Sequence, residues 1–247
     1  MVAAVAATDG IARARRFPTL RMGLHLVLVD GRPALPPEKI PDLVDGSGNL
    51  RKDLARLGLE ICVRPSVRAQ LRTEIEAQFR AYLETGLELD HVNAHRHFHL
   101  HPVVANDIIA IGMRYGMRGL RVPREPVAVL ERIESSTKRE PLFIAPWTKL
   151  LSHRVRRAGL RSPDFVFGLA WSGSMSVTRI QGLLRHLPSG STEIYLHPAT
   201  HDDFAGSAQG YRYADELSAL LDPEITTLAH RPDVALGGYS DLWSTSR

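Results

Sequence analysis

The chain has 247 residues, 44% apolar and 23% charged, a globular balance that excludes disorder and fibrous repeats and suits one α/β domain with a substantial core. Its single cysteine, Cys62, excludes an internal disulfide and a cysteine-based zinc site, which points to a reducing compartment and leaves histidine and carboxylate as candidate metal ligands; Cys62 itself is expected in the core. The net charge of +4 singles out no partner, no apolar run reaches the roughly 20 residues of a membrane span, and residues 1–7 lack signal-peptide features, so a cytoplasmic protein is expected.

Residues 8–16 read as a short helix capped by Thr8 or Asp9, and Arg21 to Val29 as a strand carrying Gly23-Leu24-His25-Leu26. Residues 31–48, with Pro33, Pro36, Pro37 and Pro41, read as a long loop leaving a strand end, where functional loops concentrate. From Val67 the apolar residues Leu71, Ile75, Phe79, Tyr82 and Leu83 recur at helical spacing until Gly86, which predicts an amphipathic helix on a sheet. Leu89 to His95 is the next predicted strand. Pro102 opens a helix with Val104, Ile108 and Ile111 on one face, ending near Gly116, and Gly119 to Pro123 follows as a strand. These elements make a β-α-β unit with a histidine-rich connection.

Residues 124–163 break this rhythm with Pro126, Pro141, Pro146-Trp147 and a basic stretch from Lys149 to Arg161, and read as an insertion within the domain. Phe165 to Gly168 is strand-like, Ser176 caps a helix bearing Ile180, Leu183, Leu184 and Leu187, and Gly190 ends it. Glu193 to His197 reads as a strand, Tyr213 to Leu221 as a helix and Val234 to Leu236 as a closing strand. Alternating strands and helices predict parallel strands and a barrel-like α/β fold, in which His25, His95 and His197 fall at the C-terminal strand ends where barrel sites lie.

Five of the eleven histidines lie between positions 91 and 101. Strand residues two apart share a face about 6.6 Å apart, so His91, Asn93, His95, His97 and His99 are expected on one face. One or two of them would bind an ion while the others contact substrate or orient the ligands. His95, His97, His99 and His101 would also set several potentially cationic rings side by side, a cost that a metal or a reaction would explain. Spacing alone leaves a non-catalytic metal site open. His25, amid Leu24, Leu26, Val27 and Leu28, reads equally as a core residue, and His197-Pro198 with His201-Asp202-Asp203 reads either as a functional end or as a solvated turn.

These blocks resemble the YdjC-like deacetylase family of the ChbG/HpnK type, specifically its hopanoid-biosynthesis HpnK branch. The resemblance runs through residues 23–28, 35–45, 90–102, 119–125 and 193–198 in family order and covers essentially the whole chain, the Asp90 to Pro102 block being its most specific part. It implies an incomplete or distorted (β/α) TIM-like barrel of the glycoside hydrolase/deacetylase type, spanning residues 1–247 as one domain. It implies that His25 and His95 bind one divalent metal ion, magnesium or zinc, that His97 and His99 line the pocket, and that His197 is the general acid. Arg121 and Arg124 are candidates to steady the substrate, with ordinary ion pairing as their alternative. The implied activity is removal of the acetyl group from an N-acetylated amino sugar, in this branch an N-acetylglucosaminyl hopanoid lipid.

Family members begin with a strand ending in Asp-Asp-Phe-Gly, whose aspartates supply a metal ligand and the base. Met1-Val2-Ala3-Ala4 resembles the end of the family's second strand, so the resemblance implies that the first strand-helix unit is absent, and a start placed too late is expected rather than a genuine truncation. Asp202-Asp203-Phe204 is no positional substitute. A different metal-dependent hydrolase, or an inactive metal-binding scaffold, remains the competing reading. No nucleic-acid motif is present. The basic stretch with Trp147, Leu150, Leu151 and Val155, among Lys149, Arg154, Arg156 and Arg157, reads either as a helix packed on the domain or as a peripheral contact with the inner membrane face. A homo-oligomer stays open.

Overall fold

The computed structural model describes residues 1–135 and 144–243. The helices are α1 (Ala7–Ala14), α2 (Leu54–Val63), α3 (Pro65–Glu84), α4 (Pro102–Arg114), α5 (Val127–Ile133), α6 (Ile144–Arg157), α7 (Val177–Arg185), α8 (Tyr213–Leu220) and α9 (Pro223–Ala229). The strands are β1 (Gly23–Leu26), β2 (His91–Ala94), β3 (Phe165–Phe167) and β4 (Thr192–Ile194), with short 3-10 turns at Pro37–Lys39, His95–Leu100 and Tyr239–Trp243. The part of the expected insertion at 136–143, including Pro141, lies outside the described residues.

The chain forms two compact units, the first from Met1–Arg121, Pro146–Ser162 and the chain from Gly238, the second from the described residues of Val122–Ala145 and from Pro163–Gly237. In the first unit β1 and β2 pair in parallel, with Gly23 opposite His91 and His25 opposite Asn93. Val92 bridges Leu120 and Gly119 bridges Arg161, both in parallel, so the expected strand at 119–123 is a bridge rather than a full element. The helical spacing read from Val67 onward holds at Val67, Leu71, Ile75, Phe79 and Tyr82 of α3, which are buried, but not at Leu83, which is exposed; Val104, Ile108 and Ile111 of α4 are buried as expected. Each such side chain contributes about 1.5–3 kcal/mol of burial.

α2, which carries no counterpart among the predicted elements, starts at Asp53, whose carboxylate accepts from Arg56 N, and turns Leu57 and Ile61 inward. That phase leaves Cys62 exposed, which corrects its expected place in the core. α6 buries Leu151 and Val155, so its apolar side is covered, and Arg154 donates to the carbonyl of Pro102 at 2.6 Å. Trp147, Lys149, Arg156 and Arg157 of the same helix are exposed. Among the described residues no helix is long and apolar enough to cross a membrane.

In the second unit β3 and β4 pair in parallel, and Val166 N donates to the carbonyl of Arg124 at 2.8 Å. Leu130, Phe167, Trp171, Met175, Ile180, Leu183, Leu184, Ala219 and Ile225 make its core. Ser176 caps α7 by accepting from Arg179 N, as expected. Three readings are corrected: α1 has no side-chain cap from Thr8 or Asp9, β4 stops at Ile194 rather than His197, and 234–236 is irregular instead of a strand. The short apolar runs predict longer strands than the structure forms, because burial alone, without a partner strand, produces the same pattern.

The loop that leaves β1 is tied down by two buried polar residues of α3. Gln78 accepts from Val27 N at 2.9 Å and donates to Val27 O at 2.6 Å and to Glu74 at 2.8 Å, while Glu74 accepts from Ala34 N and Leu35 N at 2.7 and 3.0 Å. Gln78→Leu therefore leaves the N–H and C=O of Val27 buried without partners and should cost about 1–3 kcal/mol for each. Gln181→Leu, which removes only an exposed bond to Glu224, should change stability by less than about 0.5 kcal/mol. Urea unfolding midpoints compare the two; equal effects would show that the buried tie is not what holds the loop.

Candidate functional site

Parallel pairing brings the C-terminal ends of β1 and β2 to one edge, and the register makes His25 and Asn93 direct cross-strand partners. His25 Nδ1 lies 2.5 Å from Asn93 Oδ1. A carboxamide oxygen can only accept, so Nδ1 carries the proton and Nε2 keeps a bare lone pair. That Nε2 lies 3.5 Å from Nδ1 of His95, with the two rings at 75° to each other. The separation is long for a nitrogen–nitrogen hydrogen bond. It is close to the edge, about 3.4 Å, of a tetrahedron whose nitrogens sit about 2.05 Å from a central ion.

Burial pushes the His25 imidazole down to about 3, and the positive charge of Arg121 acts in the same direction against the opposing bond to Asn93. A neutral ring with one nitrogen fixed as donor and the other bare is the state in which imidazole serves as a ligand. The donor set thus fits a divalent ion held by His25 and His95. Among the described residues no group of three His, Cys, Asp or Glu side chains converges as a metal site.

Beyond Ala94 the expected alternation fails. His95 begins a 3-10 turn in which Arg96 and His97 take φ values of 52° and 53°, so side chains no longer alternate between two faces. Two successive non-glycine residues in the left-handed region cost about 1–2 kcal/mol each, and such strain gathers at functional sites. The His97 and His99 rings lie 5.8 Å apart at 59°. His99 is wholly buried. Burial, and then the charges of His97 and Arg121, hold its pKa well below the usual imidazole value. Arg121 is buried, and its main-chain N donates to Val92 O at 2.9 Å, next to the site on β2.

Two histidines of the cluster belong elsewhere. His91, at the start of β2, stacks on Tyr239 at 4.4 Å and donates to Asp90 at 2.9 Å. His101, at the N-terminus of α4, has Nε2 3.7 Å from Sγ of Cys62.

The second unit holds the other two candidates. Arg124 is exposed, with its guanidinium 5.3 Å over the Phe165 ring. His197 lies past the end of β4; its N–H donates to Glu216 at 2.5 Å and its ring meets those of Tyr195 and Tyr211 at 5.6 and 5.2 Å. Sequence reasoning missed Glu125, whose carboxylate accepts from the N–H groups of Gly168, Leu169 and Ala170 at 2.8, 3.1 and 2.8 Å. Burial raises its pKa against those three bonds. Its only sequence signal was an acidic residue enclosed by Pro123 and Pro126.

The profile of the YdjC-like protein family matches residues 1–231. The chain belongs to that family. Among relatives of this YdjC-like chain, a carbohydrate deacetylase of Brevibacillus brevis is 27% identical over 94% of the chain and 82% of the relative. A human carbohydrate deacetylase is 28% identical over 96% and 79%, and a chitooligosaccharide deacetylase of Yersinia pestis is 26% identical over 91% and 77%. In fold, the YdjC-like chain is similar to a crystal structure from Enterococcus faecalis named for cellobiose-phosphate cleavage, with a TM-score of 0.72, 21% identity, and coverage of 98% of this chain and 85% of the other.

The depressed histidines set a pH dependence. The unfolded chain binds protons at these rings below pH 6.5, whereas folded His25 stays neutral down to about 3, and His99 and His101 are shifted the same way. Stability is therefore full above pH 6.5 and falls as pH drops below it. Chelator-treated protein should show a denaturation midpoint that declines from pH 7 to about 5, and His25→Asn should flatten that slope. A midpoint independent of pH in that window would show that the rings are protonated in the folded state.

Proposed function

We propose that this chain is a metal-dependent hydrolase that removes the acetyl group from an N-acetylated amino sugar. The observation that carries the reading is the Asn93-oriented His25 imidazole, with Nε2 3.5 Å from Nδ1 of His95. It stands in a family whose relatives are named carbohydrate and chitooligosaccharide deacetylases. One divalent ion, magnesium or zinc, bound there by His25 and His95, would polarise the acetamide carbonyl and acidify a water. Asn93 keeps the bare nitrogen of His25 turned toward His95, and burial keeps that ring unprotonated at neutral pH. His97 and His99 line the same part of the first unit, where Arg121 supplies positive charge suited to a developing oxyanion. His197 is assigned the proton for the departing amine and Arg124 a contact to the sugar, both on the resemblance of their blocks to the family.

An N-acetylglucosaminyl hopanoid lipid as substrate, a distorted (β/α) barrel as the full architecture, and a cytoplasmic place at the inner membrane face belong to the same reading. Exposed Trp147 beside Lys149, Arg156 and Arg157, none of which has an ion-pair partner among the described residues, favours contact with an anionic lipid surface. The competing reading, a metal-binding scaffold without activity, is favoured by the absence of a third converging ligand among the described residues.

Acetate release from N-acetylglucosaminyl substrates decides between them. Activity should disappear with chelator and return with magnesium or zinc, and His25→Ala or His95→Ala should lower kcat/KM by at least about 100-fold. Asn93→Ala should raise the metal concentration needed by about 10–100-fold. A folded protein that releases no acetate at any metal concentration would favour the scaffold.

For the lipid contact, substituting Lys149, Arg156 and Arg157 with glutamate, and leaving Arg154 to hold Pro102, should abolish co-sedimentation with vesicles containing phosphatidylserine. Unchanged binding would remove the membrane from the reading.

A further inference from the structure

His197 sits in a holder built from three separate stretches of the second unit. Glu216 of α8 is wholly buried, and its carboxylate accepts the N–H of Met175 at 3.0 Å and that of His197 at 2.5 Å. This ties the main chain at 197 to the segment before α7; the bond is made to the N–H and does not itself set the orientation of the ring. The ring is met from two sides, by Tyr195 at 84° and by Tyr211 at 64°, both edge-to-face.

Tyr211 is itself fixed. Its hydroxyl lies 2.8 Å from Ser172 Oγ, and the next residue, Arg212, donates its N–H to Gly173 O at 2.7 Å. The phenol ring lies directly on Gly173, where an added Cβ would come within 2.3 Å of Tyr211 Cγ, and Gly173 takes a φ of +76°. Only glycine meets both the close approach and the left-handed backbone. An exposed tyrosine serving as surface cover needs no such bed, and the fixed ring edge is directed at one imidazole.

We propose that Tyr211 is a positioning residue for His197, with Gly173 as the bed that holds its ring in place. The inference rests on His197 being the proton donor of the proposed reaction. Edge-to-face pairing of the aromatic quadrupole with the imidazole is directional, so it selects one orientation of the ring among those that the Glu216 tie permits. An imidazole that samples other orientations presents its proton to the leaving amine for a smaller fraction of the time, which lowers the chemical step and leaves substrate binding alone.

The test uses the whole chain loaded with metal and combines kinetics with the ring-proton NMR signals of His197, assigned by their loss in His197→Gln. Tyr211→Leu should lower kcat about tenfold with KM within twofold, and weaken the NOE signals between the His197 ring protons and the ring of Tyr195, which stays in place to report the orientation. Tyr211→Phe and Ser172→Ala, which keep the ring, should stay within threefold of the parent and leave those signals nearly in place. Gly173→Ala, which displaces the ring, should behave like Tyr211→Leu. If Tyr211→Leu does not fold, Gly173→Ala and Ser172→Ala carry the comparison.

Undiminished His197–Tyr195 NOE signals in Tyr211→Leu, or unchanged kcat in a background where His197→Gln is impaired, would overturn the proposal. Full activity of His197→Gln would instead remove the proton-donor role, and the His197–Tyr195 NOE signals would still decide whether Tyr211 orients the ring.

Discussion

The candidate site depends on a single constraint, the parallel register between β1 and β2. With His25 opposite Asn93, the carboxamide reaches the imidazole across adjacent strands and fixes which nitrogen is bare. A slip of one residue would turn the histidine to the other face and bury it where Leu24 and Leu26 now pack. The same register brings the His91 ring against Gly23, where an added Cβ would fall 2.5 Å from Nε2, so a larger residue there would push the strands apart. The glycine at 23 and the histidine at 25 are thus two consequences of one pairing.

Around the short strands, the connections are held by buried carboxylates rather than by sheet hydrogen bonds. Glu74 accepts from Ala34 and Leu35, Asp90 from Tyr239 and Ser240, Glu125 from three successive residues after β3, and Glu216 from Met175 and His197. Each satisfies backbone donors that the few ladder bonds leave over, which is the accounting that buried main chain demands. Burial raises the pKa of Glu74 and Glu125. At Asp90 burial acts in the same sense, but the bonds from His91, Ser240 and Tyr239 outweigh it and hold the carboxyl well below the usual range. A charged tether of this kind fixes a loop in place where an apolar contact would only cover it.

Helices α3 and α4 were legible in the sequence because each buries one face at a strict spacing, and the histidine block was legible because five histidines fall within eleven positions. Its local geometry was not. The alternation assumed for His95, His97 and His99 requires extended backbone, and the left-handed conformations at Arg96 and His97 leave no trace in residue type, since glycine or asparagine would have marked them and neither is there. The exposure of Cys62 follows from the inward phase of Leu57 and Ile61, once α2 is recognised from its Asp53 cap. The tethers at Glu74, Glu125 and Glu216 depend on contacts between distant segments and carry no periodic signal at all.

The histidine block also answers the objection that its own composition raises. Several imidazoles side by side would repel one another if protonated, yet burial is the largest cause of the downward shifts of His25, His99 and His101. These three rings add nothing to that repulsion while they remain neutral, and desolvation rather than any single partner keeps them so. Neutrality has a second effect. An ion approaching His25 at neutral pH displaces no proton from it, so the free energy of coordination is not reduced by deprotonation of that ligand. The apolar packing of β1 and α3, which looks like ordinary core, therefore also sets the state of the proposed ligand at its edge.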